Sequence, residues 1–185
     1  MLVLAIDEAG RGALAGPVVA GAVLVKEGFS LNGLFDSKRL SPTKRLYFSL
    51  LIKQKAIAFS TGLATVQEID RFNIHHATLL AMQRAAQPLF AFADIVLIDG
   101  IFIPKALIDK AQAIAHGDIL CPSIAAASVI AKTARDRIMV EWHHLYPQFE
   151  FDRHKGYGTA THMAAIAQYG PCPEHRKSFA PLKYA

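Results

Sequence analysis

The chain has 185 residues, 52% hydrophobic and 19% charged, so it is long enough for one domain with a substantial core and too apolar to be disordered. Its 20 basic residues exceed its 15 acidic ones, and the formal net charge of +5 favours an anionic partner such as nucleic acid. The two cysteines, Cys121 and Cys172, are too few for a disulfide framework and suit no zinc site, which favours a reducing cytoplasm. No repeat or linker divides the sequence, so a single domain over residues 1–185 is expected.

The first part of the chain alternates predicted strands with a predicted helix. Short apolar runs rich in valine and isoleucine predict strands at residues 2–6 and 17–25, joined by a glycine-rich turn. The first run is a poor signal peptide because acids follow it at once, and no run approaches the roughly 20 apolar residues that cross a membrane. Ser41 followed by proline is typical of a helix start and predicts a helix to about Lys55. A third strand is predicted at residues 56–63.

The second part of the chain continues the alternation. Helical periodicity predicts a helix at residues 73–87, and an apolar run predicts a fourth strand at residues 94–98. Ser123 is predicted to cap a long helix to about Leu145, whose apolar first turns indicate burial against a sheet. A last helix is predicted at residues 159–169. The alternation indicates a mixed α/β layered domain and leaves the strand order open.

Carboxylates stand where two predicted strands end and before the long apolar helix. Asp7 and Glu8 close the first strand, Asp99 follows the fourth, and Asp118 lies in a short loop before the helix. Adjacent side chains on a strand point to opposite faces, but a turn beginning here could bring Asp7 and Glu8 to one site. Any one of these acids also fits a turn or a helix cap. Two apolar strands that both end in acids favour a metal site, and oxygen-only ligands suit Mg²⁺ or Mn²⁺ better than zinc.

The glycine-rich turn Gly10-Arg11-Gly12, with Gly16 beyond it, is not a dinucleotide fingerprint. Its spacing differs from that motif, and a strand rather than a helix follows it. Glycines around an arginine let backbone approach a ligand while the guanidinium contacts phosphate. A tight hairpin with an exposed arginine fits the same spacing.

Several short blocks follow one another in an order that spans nearly the whole chain. They are Asp-Glu-Ala-Gly-Arg-Gly at 7–12, Asp36-Ser37-Lys38, Asp99-Gly100, Gly117-Asp118, Ala125-Ala126-Ala127-Ser128, Ala131-Lys132, Arg135-Asp136-Arg137, His-Lys-Gly-Tyr-Gly-Thr at 154–159 and His-Arg-Lys-Ser-Phe at 175–179. In residue type and in order, these blocks resemble the type 2 ribonuclease H (ribonuclease HII) family.

The resemblance implies an α/β chain with a ribonuclease H-like fold, in which helices flank a central mixed five-stranded sheet. It implies that two divalent ions, Mg²⁺ or Mn²⁺, are bound by four carboxylates: Asp7, Glu8, Asp99 and Asp118. It also implies that a ribonucleotide's 2′-hydroxyl is read by Gly10, Arg11 and Gly12. Tyr157 matches a tyrosine that packs on the sugar beside the cut. Candidates for phosphate contacts, which are otherwise solvated surface charges, are Lys38, Lys155 and Arg176.

The implied activity is hydrolysis of the RNA strand of RNA–DNA hybrids and cutting 5′ of single ribonucleotides in duplex DNA, leaving a 5′-phosphate and a 3′-hydroxyl. We expect a monomer in the cytoplasm with no membrane association. A resolvase-like or transposase-like nuclease would share the carboxylates but not the glycine and tyrosine blocks. A basic binding module without catalysis would explain the charge but leaves the acids at the strand ends without a purpose.

A few other residues have structural interpretations. Asp136, between two arginines, is expected to form a structural ion pair rather than to bind metal. Phe149 and Phe151 are expected in the core. His154 and His162 are equally compatible with a place near the substrate and with a capping or packing role.

Overall fold

The sheet at the centre of the protein has five strands in the order β3-β2-β1-β4-β5. The structure is a computed structural model that describes residues 1–34 and 40–184. The strands are β1 (Leu2–Ala9), β2 (Val18–Lys26), β3 (Ala58–Ala64), β4 (Ile95–Asp99) and β5 (Ala111–Ile114). β1 pairs antiparallel with β2 and parallel with β4, so the sheet is mixed, as expected.

Helices cover both faces of the sheet. They are α1 (Pro42–Lys55), α2 (Val66–Ala86), α3 (Gly117–Leu120), α4 (Pro122–Leu145), α5 (Phe151–His154) and α6 (Ala160–Tyr169). Alternation along β1 decides which face each side chain serves. Leu4 and Ile6 pack in the core under α2, whereas Val3 and Ala5 pack in the core under α1 and α4. Within the described residues, no helix is long and apolar enough to cross a membrane.

A third apolar cluster lies beside the C-terminal half of α4. Met139 from that helix packs there with Phe149, Phe151 and Ile166. The two phenylalanine rings are buried and stacked with centroids 5.5 Å apart, so their predicted place in the core is confirmed. Cys172, near the end of the chain, is part of the same cluster.

The predicted strands and helices are present, but three local assignments are wrong. β1 continues to Ala9, so Asp7 and Glu8 lie inside the strand instead of closing it. Asp118 lies in the one-turn helix α3 rather than in a loop. α4 begins at Pro122, and Ser123 is inside its first turn rather than at its cap.

The helix expected at residues 73–87 is the second half of a longer element. α2 begins after Thr65, whose side chain and that of Glu68 form a capping box. Asn73 interrupts it with a φ of 66°, and its side chain accepts a hydrogen bond from the His76 N–H. The predicted start at Asn73 therefore coincides with the cap of the second half. β5 was not predicted as a strand from its residues.

Candidate active site

Three of the predicted carboxylates meet where β1 and β4 run side by side. Ile6 pairs with Ile98 in the parallel register, which places the next residues of the two strands, Asp7 and Asp99, beside each other. One carboxylate oxygen from each of Asp7, Glu8 and Asp99 lies within 4.8 Å of the others. The parallel pairing of β1 with β4 therefore brings Asp99 to Asp7, a neighbour that the sequence alone did not predict.

Asp118 borders this carboxylate cluster. Its side chain is 3% exposed, and its backbone N–H donates to Asp99 Oδ1 at 3.3 Å. It lines the same depression of about 270 Å³ as the three clustered acids. The three-acid cluster does not include it. Its metal-binding role stays a prediction.

The electrostatics of the carboxylate cluster favour a bound cation. Burial, followed by the negative charges of Glu8 and Asp99, raises the pKa of Asp7 to about 8. Burial also raises the pKa of Glu8, against the opposing effect of Arg11, whose guanidinium lies 3.3 Å from Glu8 Oε1. Glu8 Oε2 is buried and has no hydrogen-bond partner among the described residues. Crowded oxygen ligands with an unpaired buried oxygen fit a hard divalent cation.

Two residues of α4, Ser128 and Lys132, belong to the site; both stand in the sequence blocks, but no role was predicted for them. The Ser128 hydroxyl hydrogen-bonds Asp7, and the Lys132 ammonium donates to Ser128 Oγ. Both Ser128 and the positive charge of Lys132 lower the pKa of Asp7 against the dominant effect of burial. Their spacing of four residues on an otherwise apolar helix face was the available signal.

The loop between β1 and β2 (residues 10–17, the glycine loop) is held by a buried arginine from the end of the chain. Arg176 is fully buried and donates to the carbonyls of Gly16 at 2.9 Å, Arg11 at 2.8 Å and Gly10 at 2.6 Å. The guanidinium of Arg176 is buried and occupied by these bonds, so Arg176 has a structural role instead of the expected contact with phosphate. It fixes the backbone of the glycine loop from the interior side.

A second buried arginine, from α4, holds the other half of the glycine loop. Arg135 is 2% exposed and donates to the carbonyls of Pro17 at 3.0 Å, Ala15 at 2.9 Å and Lys155 at 2.9 Å. A Cβ at Gly10 would lie 2.0 Å from Arg135 Nε, so only glycine fits there. Arg135 stands in one of the sequence blocks, but no role was predicted for it.

The remaining predicted substrate contacts lie in different places. Gly12 faces open space, since a Cβ there would meet nothing within 4 Å, and the Arg11 side chain is 49% exposed. Tyr157 is 44% exposed and lines the depression that holds the carboxylates. Lys155 instead donates to the Asp152 carbonyl and borders a groove between α1 and α4. Lys38 lies outside the described residues.

The ion pair expected for Asp136 is confirmed, with a partner that was not foreseen. Asp136 pairs with Arg45 of α1, not with its two neighbours in α4. The contact ties α1 to α4 and leaves Asp136 out of the carboxylate cluster.

A buried carboxylate cluster on a mixed sheet, beside a glycine loop and an exposed tyrosine, defines a metal-dependent nuclease of the ribonuclease H-like fold. The family model described as Ribonuclease HII matches residues 4–183. The chain belongs to the ribonuclease HII family.

Individual relatives agree with this assignment. The chain is 50% identical to ribonuclease HII of Bordetella avium (strain 197N) over 181 residues, which are 98% of this chain and 89% of that protein. It is 49% identical to ribonuclease HII of Burkholderia vietnamiensis (strain G4 / LMG 22486) over 184 residues, 100% of this chain and 85% of that protein. The crystal structure of ribonuclease H2 from Pyrococcus horikoshii OT3 matches with a TM-score of 0.80 at 26% identity, covering 100% of this chain and 96% of that one.

These matches confirm the resemblance and the fold that were expected from the sequence blocks. The protein is a metal-dependent endoribonuclease with ribonuclease H activity on RNA–DNA hybrids. The interpretations as a resolvase-like nuclease or as a binding module without catalysis are therefore set aside.

Proposed function

We propose that this endoribonuclease cuts on the 5′ side of a ribonucleotide, including a single one embedded in duplex DNA, and does so with two divalent ions in one catalytic domain over residues 1–185. The observation that carries the proposal is the depression shared by the carboxylate cluster, the glycine loop and Tyr157. The acids that could bind a metal ion and the groups that could contact a sugar thus line the same depression.

The carboxylates would hold the ions, with Asp7, Glu8 and Asp99 in the cluster and Asp118 at its border. Mg²⁺ and Mn²⁺ both suit an all-oxygen ligand set. When bound, such ions would lower the pKa of the attacking water and offset the charge that develops on the departing 3′-oxygen. Breaking the bond between phosphorus and that oxygen would leave a 3′-hydroxyl and a 5′-phosphate. Lys132 lines the same depression, and its positive charge would favour the binding of a phosphate there.

The glycine loop would recognise the ribonucleotide. Only an RNA nucleotide offers a 2′-hydroxyl, which both donates and accepts hydrogen bonds. The open space at Gly12 lets the backbone approach the sugar, and Arg11 stands beside it with half its side chain exposed. Tyr157 would pack on the sugar next to the cut. Lys38 and Lys155 are proposed to contact phosphates of the duplex.

We further propose that the chain acts as a monomer in the cytoplasm. Cys121 and Cys172 are both free thiols, which suits a reducing compartment. Sedimentation of the purified protein with and without a hybrid duplex would reveal any larger assembly.

The test uses a labelled DNA duplex that carries one ribonucleotide, incubated with Mg²⁺, with Mn²⁺ or with EDTA. Wild type is compared with Asp99→Asn and with Asp109→Asn, a matched change at an exposed aspartate. We expect metal-dependent cutting 5′ to the ribonucleotide in wild type and Asp109→Asn, and its loss in Asp99→Asn. Cutting of an all-DNA duplex at the same rate, or full activity of Asp99→Asn, would contradict the proposal.

A further inference from the structure

Three histidines are packed beneath Tyr157, and the chemistry described so far uses none of them. His162 and His175 are fully buried, and His154 stacks on His162 with ring centroids 4.4 Å apart. They support the segment at residues 154–158, here called the tyrosine loop. A buried polar network whose hydrogen bonds are all made rigidifies the structure around it.

The hydrogen bonds of His162 and His175 form a chain with one direction. The Cys172 N–H donates to His175 Nδ1 at 2.9 Å, so the proton of neutral His175 is on Nε2. His175 Nε2 lies 3.0 Å from His162 Nε2, which must accept. The proton of His162 is then on Nδ1, which donates to the Tyr157 carbonyl at 2.9 Å. A backbone donor at one end and a backbone acceptor at the other thus allow a single arrangement of protons.

Neutral rings fit this chain, and an added proton would not. A proton added to His162 would place two N–H groups face to face between His162 and His175, and one added to His175 would face the Cys172 N–H. Burial lowers the pKa of His175 to about 4 and also lowers that of His162. Burial raises the pKa of the Cys172 thiol to about 11, so no thiolate is present beside His175 to favour an imidazolium.

The same histidine chain adjoins the support of the glycine loop. His175 immediately precedes Arg176, which holds the Gly10 and Arg11 carbonyls. The Arg176 N–H donates to the Leu14 carbonyl. The tyrosine loop is joined to the glycine loop directly, because the Gly156 carbonyl accepts from the Leu14 N–H at 2.8 Å. The two substrate-facing loops therefore share one rigid base.

We propose that His162 is a positioning residue that fixes Tyr157 against the sugar beside the cut and thereby sets the preference for a lone ribonucleotide in DNA over a long RNA–DNA hybrid. His175 keeps the proton of His162 on Nδ1, the nitrogen that faces the Tyr157 carbonyl. The inference rests on the proposed function. His162 reaches the Tyr157 backbone directly, whereas the metal-binding acids lie on β1, β4 and α3, outside the histidine chain. Loosening Tyr157 should therefore change substrate preference more than hydrolysis itself.

Two substitutions at His162 separate the two ends of the chain. The amide of Asn lies near the position of Nδ1 and can still donate to the Tyr157 carbonyl, whereas the longer Gln amide lies near Nε2 and can still contact His175. Both variants are polar and both break one of the two bonds. The measured quantity is kcat/KM on a duplex with one ribonucleotide divided by kcat/KM on a long hybrid. Because both rates come from one sample, this ratio does not depend on the folded fraction.

We expect His162→Gln to lower this preference about tenfold, since a shift of about 1 Å in a substrate-positioning group can cost about 100-fold in rate. His162→Asn should keep the preference within about twofold of wild type. In a Tyr157→Ala background, which itself lowers the preference, His162→Gln should add nothing, because both changes remove the same interaction.

Equal loss of preference in His162→Asn and His162→Gln, or an undiminished effect of His162→Gln in the Tyr157→Ala background, would overturn the inference alone. Wild-type enzyme is the control for the proposed function. If it cuts the long hybrid but not the single ribonucleotide, the proposed function fails and the inference fails with it.

Discussion

The Asp7 carboxyl group is buried beside two other carboxylates, and its pKa is raised to about 8 by burial and by the charges of Glu8 and Asp99. The unfolded chain releases this proton near the ordinary value of 3.8, whereas the folded protein keeps it to about pH 8. The folded state therefore binds more protons in that window, and the free energy of unfolding falls as the pH rises through it. The buried Asp7 carboxylate therefore opposes the stability of the metal-free fold.

Asp7→Asn removes the titrating group and keeps the shape of the side chain. In EDTA at pH 8 we predict that this variant melts at the same temperature as wild type or higher, because the buried repulsion is gone. With Mg²⁺ its cleavage of a hybrid should fall roughly 100-fold or more, a loss typical of removing a group that stabilises the transition state. Thermal melting and a cleavage assay on the same preparations measure both effects.

Asp109→Asn is the matched control, since Asp109 is exposed. It should change neither the melting temperature nor the cleavage rate. A melting temperature of Asp7→Asn clearly below that of Asp109→Asn would show that the Asp7 carboxylate stabilises the metal-free protein, contrary to the burial argument.

Among the strands and helices, those marked by apolar runs or helix caps could be predicted from the sequence, but the pairing of distant segments could not. The Ser41 cap of α1 was predicted correctly, because its side chain accepts from the Lys44 N–H as a local motif. The start of α2 was not predicted, although Thr65 and Glu68 have the spacing of a capping box in the sequence. β5 has only four residues, half-buried or exposed at the edge of the sheet, so no alternation marks it.

The same holds for the site. The acids could be predicted from the sequence because charges interrupt apolar runs. The strand register that places Asp7 beside Asp99 could not be predicted, because it joins segments about ninety residues apart. The structural role of the two buried arginines could not be predicted from the sequence. Arginine is almost never fully buried unless paired, and the carbonyls that pair Arg176 lie more than 150 residues earlier. Its sequence-based interpretation as a surface phosphate contact was the ordinary expectation for an arginine, and the fold overrode it.

Arg176→Met tests whether the glycine loop depends on this arginine. The change keeps much of the side-chain volume but leaves three carbonyls without a donor, and each unpaired buried group costs about 1–3 kcal/mol. We predict a loss of about 3 kcal/mol in the free energy of unfolding and weaker binding of a hybrid duplex. Urea denaturation and a filter-binding assay measure the two quantities.

Lys177→Met provides the comparison, because Lys177 is the adjacent, exposed cation. It removes the same charge without touching the glycine loop, so its unfolding free energy should stay within about 0.5 kcal/mol of wild type. If Arg176→Met were as stable as Lys177→Met and lost only duplex affinity, Arg176 would be a phosphate contact after all.

For the whole molecule, the buried histidines predict loss of stability in mild acid. Burial, with a smaller contribution from His162, lowers the pKa of His175 from 6.5 to about 4. Below pH 6.5 the unfolded chain binds a proton that the folded protein refuses until about pH 4, so the free energy of unfolding falls as the pH falls through this window. We predict that His175→Gln flattens this part of the stability profile, measured by urea denaturation in EDTA.

The exposed His144 supplies the control for this profile. His144→Gln should leave the slope between pH 6.5 and 4 as it is in wild type. An unchanged slope in His175→Gln would mean that other groups cause the acid sensitivity.

Metal binding should stabilise the entire fold, because the acids that would bind the ion come from strands at the centre of the sheet and from the helix that follows them. A ligand that binds only the folded state stabilises it by about 2.7 kcal/mol at 100 times its Kd. For a domain of this size, this corresponds to an increase in Tm of about 5–10 °C. We predict such an increase for wild type when Mg²⁺ is added to EDTA-treated protein, and a much smaller one for Asp99→Asn.

Added NaCl at matched ionic strength separates binding from screening. Screening by salt reduces the repulsion among all acids of the protein, whereas a bound ion acts only where oxygen ligands converge. NaCl should therefore raise the Tm of wild type far less than Mg²⁺ does, and it should act equally on Asp99→Asn. If NaCl matched Mg²⁺, or if Asp99→Asn kept the full Mg²⁺ effect, the carboxylate cluster would not be the metal site, and the ion would have to bind elsewhere on the molecule.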